Sequence, residues 1–312
     1  DIVPVDPVEA PLSLSGHIAD LRARAANSDE PADAQLAATL LALMAREGIA
    51  SAQPHRWLGA GGTPTSAQDY RGQIVLSPSQ FERALACPLR WFLTTIGADA
   101  PSNAAASLGT LVHAVAEEHP HGTPEELTAA LEARIEELGY NLDTWAGRVA
   151  DRHARDIVNN LASYVVGVPG EVTVEQTVSA EVEGVTIRGR MDRLEQVDEG
   201  VRVTDLKTGK SGYTKANVAE NPQLAAYQMA LLASGEKVAG ARITLLGGSK
   251  PQIYDQPALQ GEELERWRES VREVALSARG PYFEARPSQE ACRYCSFDRL
   301  CPARERGRKV VE

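Results

Sequence analysis

From residue 185 to residue 207 the sequence reads VTIRGRMDRLEQVDEGVRVTDLK, and its period-2 pattern constrains the fold more than any other stretch. Val201, Val203, Asp205 and Lys207 fall on one side of an extended strand, because successive side chains of a strand alternate between faces. In the preceding segment Val185, Ile187 and Met191 share a face, and Asp192 falls on the other. Asp198-Glu199-Gly200 supplies a polar turn between the two. The pattern predicts adjacent antiparallel strands that let Asp192 and Asp205 converge, with Lys207 alongside.

Two carboxylates are hard oxygen ligands of the kind Mg²⁺ and Mn²⁺ take while keeping waters. A cation held there offsets charge on a phosphoryl group and acidifies a water. A neighbouring lysine can orient the attacking water or stabilise developing charge without binding metal. The plainer alternative is a solvated hairpin whose Asp205–Lys207 pair is a surface contact worth at most about 1 kcal/mol. An isolated D-x-K is common by chance. The strand context and the second aspartate favour the site.

The chain has 312 residues, enough for one large domain or one plus an appendage. It starts at Asp1, as expected of an excised part of a longer protein. No apolar run approaches the ~20 residues of a membrane span and no signal-peptide pattern opens it, so no membrane partner and a cytoplasmic location are expected. The net charge of −11 argues against indiscriminate nucleic-acid binding. Residues 286–312 run the other way, with seven Arg or Lys against four Asp or Glu, a local net of +3.

Four cysteines, Cys87, Cys292, Cys295 and Cys301, suggest a metal site rather than disulfides in a cytosolic protein. Cys292-x2-Cys295-x5-Cys301 has metal-ligand spacing, with Cys87 as the distant fourth ligand. Thiolate sites suit Zn²⁺ and iron–sulfur alike, and zinc is the commoner occupant.

Along the chain, a Pro-rich lead precedes two helices. Ser15 caps the first in this reading, and Leu36, Leu40, Leu43 and Met44 form the apolar stripe of the second. GAGGTPTS reads as a flexible connection, so residues 1–70 are expected to form a helical adapter and 71–312 the main domain. Ser77, Pro78 and Gln80 make a capping box for a helix broken near Cys87-Pro88. Residues 107–118 read as a helix with Gly109 and His113 four apart, where a lone histidine is ordinarily a core residue. Two helical patterns fill 123–166. A strand covers 171–184, where Glu175 reads as a solvated edge residue although it could approach the metal. Residues 211–222 read as a loop, 221–233 as a helix with Gln223 and Tyr227 on one face, 241–246 as a buried strand and 261–278 as a helix.

GRMDRLE, VTDLKTGK and QLAAYQMAL, in that order, resemble the successive motifs of the RecB-like branch of the PD-(D/E)xK nuclease superfamily, over roughly residues 76–304. The resemblance implies an α/β fold, restriction-endonuclease-like, with a mixed central sheet flanked by helices. It implies a Mg²⁺ or Mn²⁺ site formed by His113, Asp192, Asp205 and the carbonyl of Leu206, with Lys207, Gln223 and Tyr227 acting in catalysis. One cysteine before these motifs and three after resemble the four-cysteine staple of AddAB- and AdnAB-type nucleases, which implies a [4Fe–4S] cluster clamping the two arms, with Zn²⁺ as the other occupant. The implied function is DNA end resection. The nuclease domain would cut single strands to leave 5′-phosphates, with a helicase motor in the same polypeptide, a partner subunit, and a nucleoid-associated location. The alternatives are a non-catalytic module that guides DNA or docks a partner, and a stand-alone iron–sulfur exonuclease of CRISPR or repair type.

Overall fold

The computed structural model describes residues 13–54, 72–98, 108–168, 170–210, 212–293 and 295–304. The Pro-rich lead, the GAGGTPTS connection and the end of the basic tail lie outside them. Contacts divide the chain into two compact units, Asp1–Gln68 and Asp69–Glu312.

In the first unit, helices α1 (Leu14–Asn27) and α2 (Pro31–Arg46) enclose a small core of Ile18, Leu21, Ala37, Leu41 and Ala52. Ser13, not Ser15, caps α1, its hydroxyl accepting from Gly16 N at 3.1 Å. Of the expected apolar stripe of α2, Met44 packs against this core and the leucines do not. Ala37 and Leu41 are buried, whereas Leu36 and Leu43 are 54% and 44% exposed. The short alanine lets the two helices approach on its own side, so the leucine-rich side is left outside.

In the second unit a six-stranded mixed sheet is built from β1 (Ile74–Leu76), β2 (Val172–Val182), β3 (Val185–Val197), β4 (Gly200–Lys207), β5 (Val238–Leu245) and β6 (Gln252–Pro257). The order is β1-β3-β4-β5-β6, with β2 on the other edge of β3. The β3–β4 hairpin forms as its alternation predicts, running from Arg193↔Thr204 to Val197↔Gly200. Gly200 is obligatory at the turn, because its φ is +137° and a Cβ there would lie 2.0 Å from the Lys237 carbonyl. β4 and β5 run parallel, while β5 and β6 are antiparallel.

Helices cover both faces. On one, α3 (Pro78–Ala86), α4 (Pro88–Thr95), α9 (Pro222–Ala233) and α10 (Gly261–Ala278) bury Phe81, Trp91, Leu224 and Trp267 against Val185, Ile187, Met191, Val203 and Ile243. On the other, α5 (Leu108–Glu118), α6 (Pro124–Arg134) and α7 (Trp145–Val166) enclose Leu111, Leu127, Ile157 and Leu161 with Leu206 and Leu246. Polar bonds fix this second layer. Asn160 donates to the carbonyls of Leu246 and Gly248 at 2.7 and 2.9 Å. Tyr164 donates to buried Glu195 at 2.6 Å, and Arg193 donates to the Pro120 carbonyl at 3.0 Å.

The capping box at Ser77 and the break at Cys87-Pro88 form as read. Strands β1 and β6 and the short helix α8 (Lys215–Ala219) were not anticipated, the last falling inside the expected loop. Three residues of β1 are too few to show a period, and α8 is one capped turn held by Thr214.

Phe81 is fully buried between the sheet and α9. Phe81→Ala should cost about 3–5 kcal/mol, read as a shift of the urea midpoint at unchanged slope.

Candidate active site

The site is set by an irregularity of β3. β1 pairs with residues 185–187 and β4 with 193–197 on the same edge, so residues 188–192 have no strand partner there. Other groups fill the gap. Tyr227, from α9, donates its hydroxyl to the Arg190 carbonyl at 2.7 Å. Leu206 N donates to Asp192 Oδ2 at 2.8 Å. Gly189 lets α3 approach, since a Cβ would meet the Pro78 ring at 2.6 Å.

The alternation of side chains also inverts here. Met191 and Leu194 both face the α9–α10 core, so the two residues between them, Asp192 and Arg193, both face the α5–α7 side. On β2 the matching position is Glu175, whose φ of +52° is rare for a residue with a side chain. The paired irregularity aims Glu175 and Asp192 at His113 of α5. Nδ1 of His113 lies 3.3 Å from Asp192 Oδ1, and one donor atom each of His113, Glu175 and Asp192 lies within 4.8 Å of the others.

Asp205 keeps the opposite orientation, toward α9. Its Oδ1 accepts from Gln223 Nε2 at 2.9 Å, and its Oδ2 lies 2.8 Å from Lys207 Nζ. That second contact is an ion pair, and Oδ2 is buried. The four groups His113, Asp192, Asp205 and Lys207 interact electrostatically across the gap. Glu82 of α3, which no motif singled out, is half-buried beside Lys207 and Asp205 and accepts from Asn221 at 3.4 Å. Its only sequence signal is an acid next to the apolar Phe81 face.

The electrostatics are lopsided. Burial pushes Asp205 above the usual carboxylate range, with Lys207 offsetting only part. Burial likewise raises Glu82, and raises Glu175 despite Arg190. Burial works against the Lys207 ammonium, but Asp205 outweighs it and lifts its pKa. Burial, with Asp205 and Asp192 nearby, drives Tyr227 upward, so it remains a neutral donor. Four carboxylates thus face Lys207, Arg190 and a histidine, leaving negative charge for a cation to offset.

Each expected residue is therefore at or beside the gap, in two sets. His113 and Asp192 stand with Glu175, which the sequence reading left in solvent. Asp205 stands with Lys207 and Gln223, and is outside the close triplet. Tyr227 holds backbone, and Leu206 contributes its N–H to Asp192 while its side chain is buried.

The cysteines gather elsewhere. Leu89 N bonds the Glu284 carbonyl at 3.0 Å, Arg90 donates to the Ala291 carbonyl at 2.8 Å, and Phe92 stacks on Phe283 with ring centroids 4.0 Å apart. These contacts bring Cys87 to Cys292, Cys295 and Cys301, and all four line one cavity. No three of their sulfurs close to within 4.8 Å of one another.

A family model described as the PD-(D/E)XK nuclease superfamily matches residues 75–302. Among curated proteins none matches. Two solved structures cover 75% of the chain. The crystal structure of SSO0001 has 14% identity, 88% of its own chain covered and a TM-score of 0.39. A protein from Eubacterium rectale, provisionally named an exonuclease, has 15% identity, 92% of its own chain covered and a TM-score of 0.43.

In the metal-free protein the Asp192 hydrogen bond, against the effect of burial, raises His113 above its ordinary 6.5. The pair therefore stabilises the fold fully below that value, and the contribution is lost as pH rises through the raised pKa. An NMR titration should show His113 titrating above 6.5, and Asp192→Asn should lower its midpoint.

Proposed function

Because the chain belongs to the PD-(D/E)XK nuclease superfamily, we propose that it is the RecB-like nuclease domain of a helicase–nuclease that resects DNA ends. The observation that carries the reading is the meeting of His113, Glu175 and Asp192 beside the Asp205–Lys207 pair at the gap in β3.

The residues fit a divalent cation. One imidazole and three carboxylates are a donor set for Mg²⁺ or Mn²⁺, and Asp205 Oδ2 is buried with Lys207 as its counter-charge. His113, Asp192 and Asp205 would hold it, with the carbonyl of Leu206 and, as an addition to the expected set, Glu175. What a cation supplies when bound is acidity for a water and positive charge beside the phosphodiester.

This chain's own groups do the rest. Gln223 holds Asp205 by one oxygen, and the other faces Lys207. Tyr227 fixes the backbone at Arg190 and so the direction of Asp192. Lys207 orients the attacking water and offsets charge on the phosphoryl oxygens. Water oxygen bonds to phosphorus, the bond to the 3′ oxygen breaks, and that oxygen takes up a proton. The products are a 5′-phosphate and a 3′-hydroxyl.

The four cysteines line one cavity and would hold a [4Fe–4S] cluster in this reading. Thiolate sites suit zinc and iron–sulfur alike, and the order of one cysteine before the nuclease motifs and three after is what favours [4Fe–4S]. The cluster clamps residues 87 and 292–301 together, with the binding energy contributing to folding. In the same reading, residues 1–70 are a helical adapter, residues 71–312 are the nuclease domain, the motor and a partner subunit deliver single strands, and the protein works at the nucleoid in the cytoplasm.

Single-stranded DNA should be cut only with Mg²⁺ or Mn²⁺, leaving 5′-phosphate ends. Lys207→Ala should lower the rate about 100-fold or more, and Asp205→Ala should abolish cutting. Equal cutting by these variants, or by the metal-free protein, would remove the hydrolytic role. For the cluster, the purified protein should be brown and contain iron. Cys301→Ala should lose the colour and several degrees of thermal midpoint, and a colourless wild-type protein with stoichiometric zinc would decide for zinc.

A further inference from the structure

Helices α5–α7 cover only part of their face of the sheet. They lie over β4, β5 and the ends of β2 and β3 that include Val172 and Arg193. Beyond the inversion at Glu175 and Asp192, the described residues leave the same face of the β2–β3 ribbon exposed at Thr177, Ser179 and Glu181 of β2 and at Arg190 and Arg188 of β3. Thr186, opposite Glu181, is buried and accepts from Gln73 Nε2 at 2.8 Å. The opposite positions of this ribbon, Val178, Val182, Val185 and Ile187, are in the α9–α10 core. The register leaves these arginines no other face to occupy.

Arg188, Arg190 and Asp192 are alternate residues of one strand, so same-side positions recur about every 6.6 Å. Two guanidiniums therefore stand in a row that ends at the carboxylates of the site. Arg188 Nε donates to Ser179 Oγ at 3.4 Å. Arg190 engages Glu175 through Nε, yet its side chain is 67% exposed, so much of the fork is open to solvent. Guanidinium forks match phosphate oxygens in pairs, and flanking hydroxyls add donors. Glu181 marks the far end of the row with the opposite charge.

Resting on the nuclease reading above, we propose that Arg188 and Arg190 form a phosphate track for one DNA strand, running along β3 into the site. Arg190 holds the phosphate next to the one being cut, and Arg188 the phosphate after it. The track also accounts for how a chain with a net charge of −11 holds a polyanion, since the basic groups are concentrated where the strand must lie.

The test measures binding apart from cutting. A fluorescent oligothymidylate is titrated with the Asp205→Ala protein, which binds without cleaving, over a range of salt concentrations. Adding Arg188→Ala and Arg190→Ala together should weaken binding at least about tenfold. The same pair should reduce the slope of log affinity against log salt by about 1.4, two single-strand phosphate contacts. Arg266→Ala removes one positive charge from α10, on the other face of the sheet, and should leave both unchanged. Unchanged affinity and slope in the Arg188/Arg190 pair, or an equal loss in Arg266→Ala, overturns the track. If wild-type protein still cuts with Mn²⁺ in that case, the nuclease reading stands without it. A wild-type protein that neither binds nor cuts removes both.

Discussion

One hydrogen bond, from Leu206 N to Asp192 Oδ2, joins β3 to β4 where their ladder has ended. A backbone donor in a sheet must find an acceptor or bear a cost of about 1–3 kcal/mol. Here the acceptor is a side chain, and that choice orients a carboxylate. The other oxygen of Asp192 is left facing His113, while Asp205, on the next strand, points the opposite way to Gln223. The separation of the site into two sets follows from this one substitution of a side chain for a strand.

The same gap accounts for the roles of residues around it. Tyr227 satisfies the Arg190 carbonyl, so its hydroxyl is committed to structure. Gly189 admits the start of α3, and α3 carries Glu82 to the edge of the site. Burying carboxylates in this way is unfavourable without a counter-charge, as the upward shifts of Asp205, Glu82 and Glu175, driven first by burial, indicate. Lys207 offsets only part of that charge.

Much of this was legible in the sequence where the pattern was local and long. The hairpin from 185 to 207, the helix bearing Gln223 and Tyr227, and the broken helix at Cys87-Pro88 each carry their own period, turn or cap. Glu175 was not legible, because its direction depends on a left-handed backbone angle at one residue of an otherwise regular strand. Glu82 was missed because it lies just off an apolar stripe, and only the tertiary fold brings Lys207 to it. In α2 the leucines outweighed the alanine in the reading, yet close helix approach favoured the smaller side chain. Local periods identify faces; they do not say which face finds a partner.

The pairing of Ile74 with Val185, and the bond from Leu89 to Glu284, join positions far apart in the chain. Contacts of such long span close large loops before they return any energy, which slows folding. On the ribosome, Ile74 must wait for Val185, and Leu89 must wait for Glu284. Until those partners emerge, Phe81 and Trp91 lack the sheet they pack against. Joining such distant positions around one sheet leaves apolar surface that needs shielding during translation.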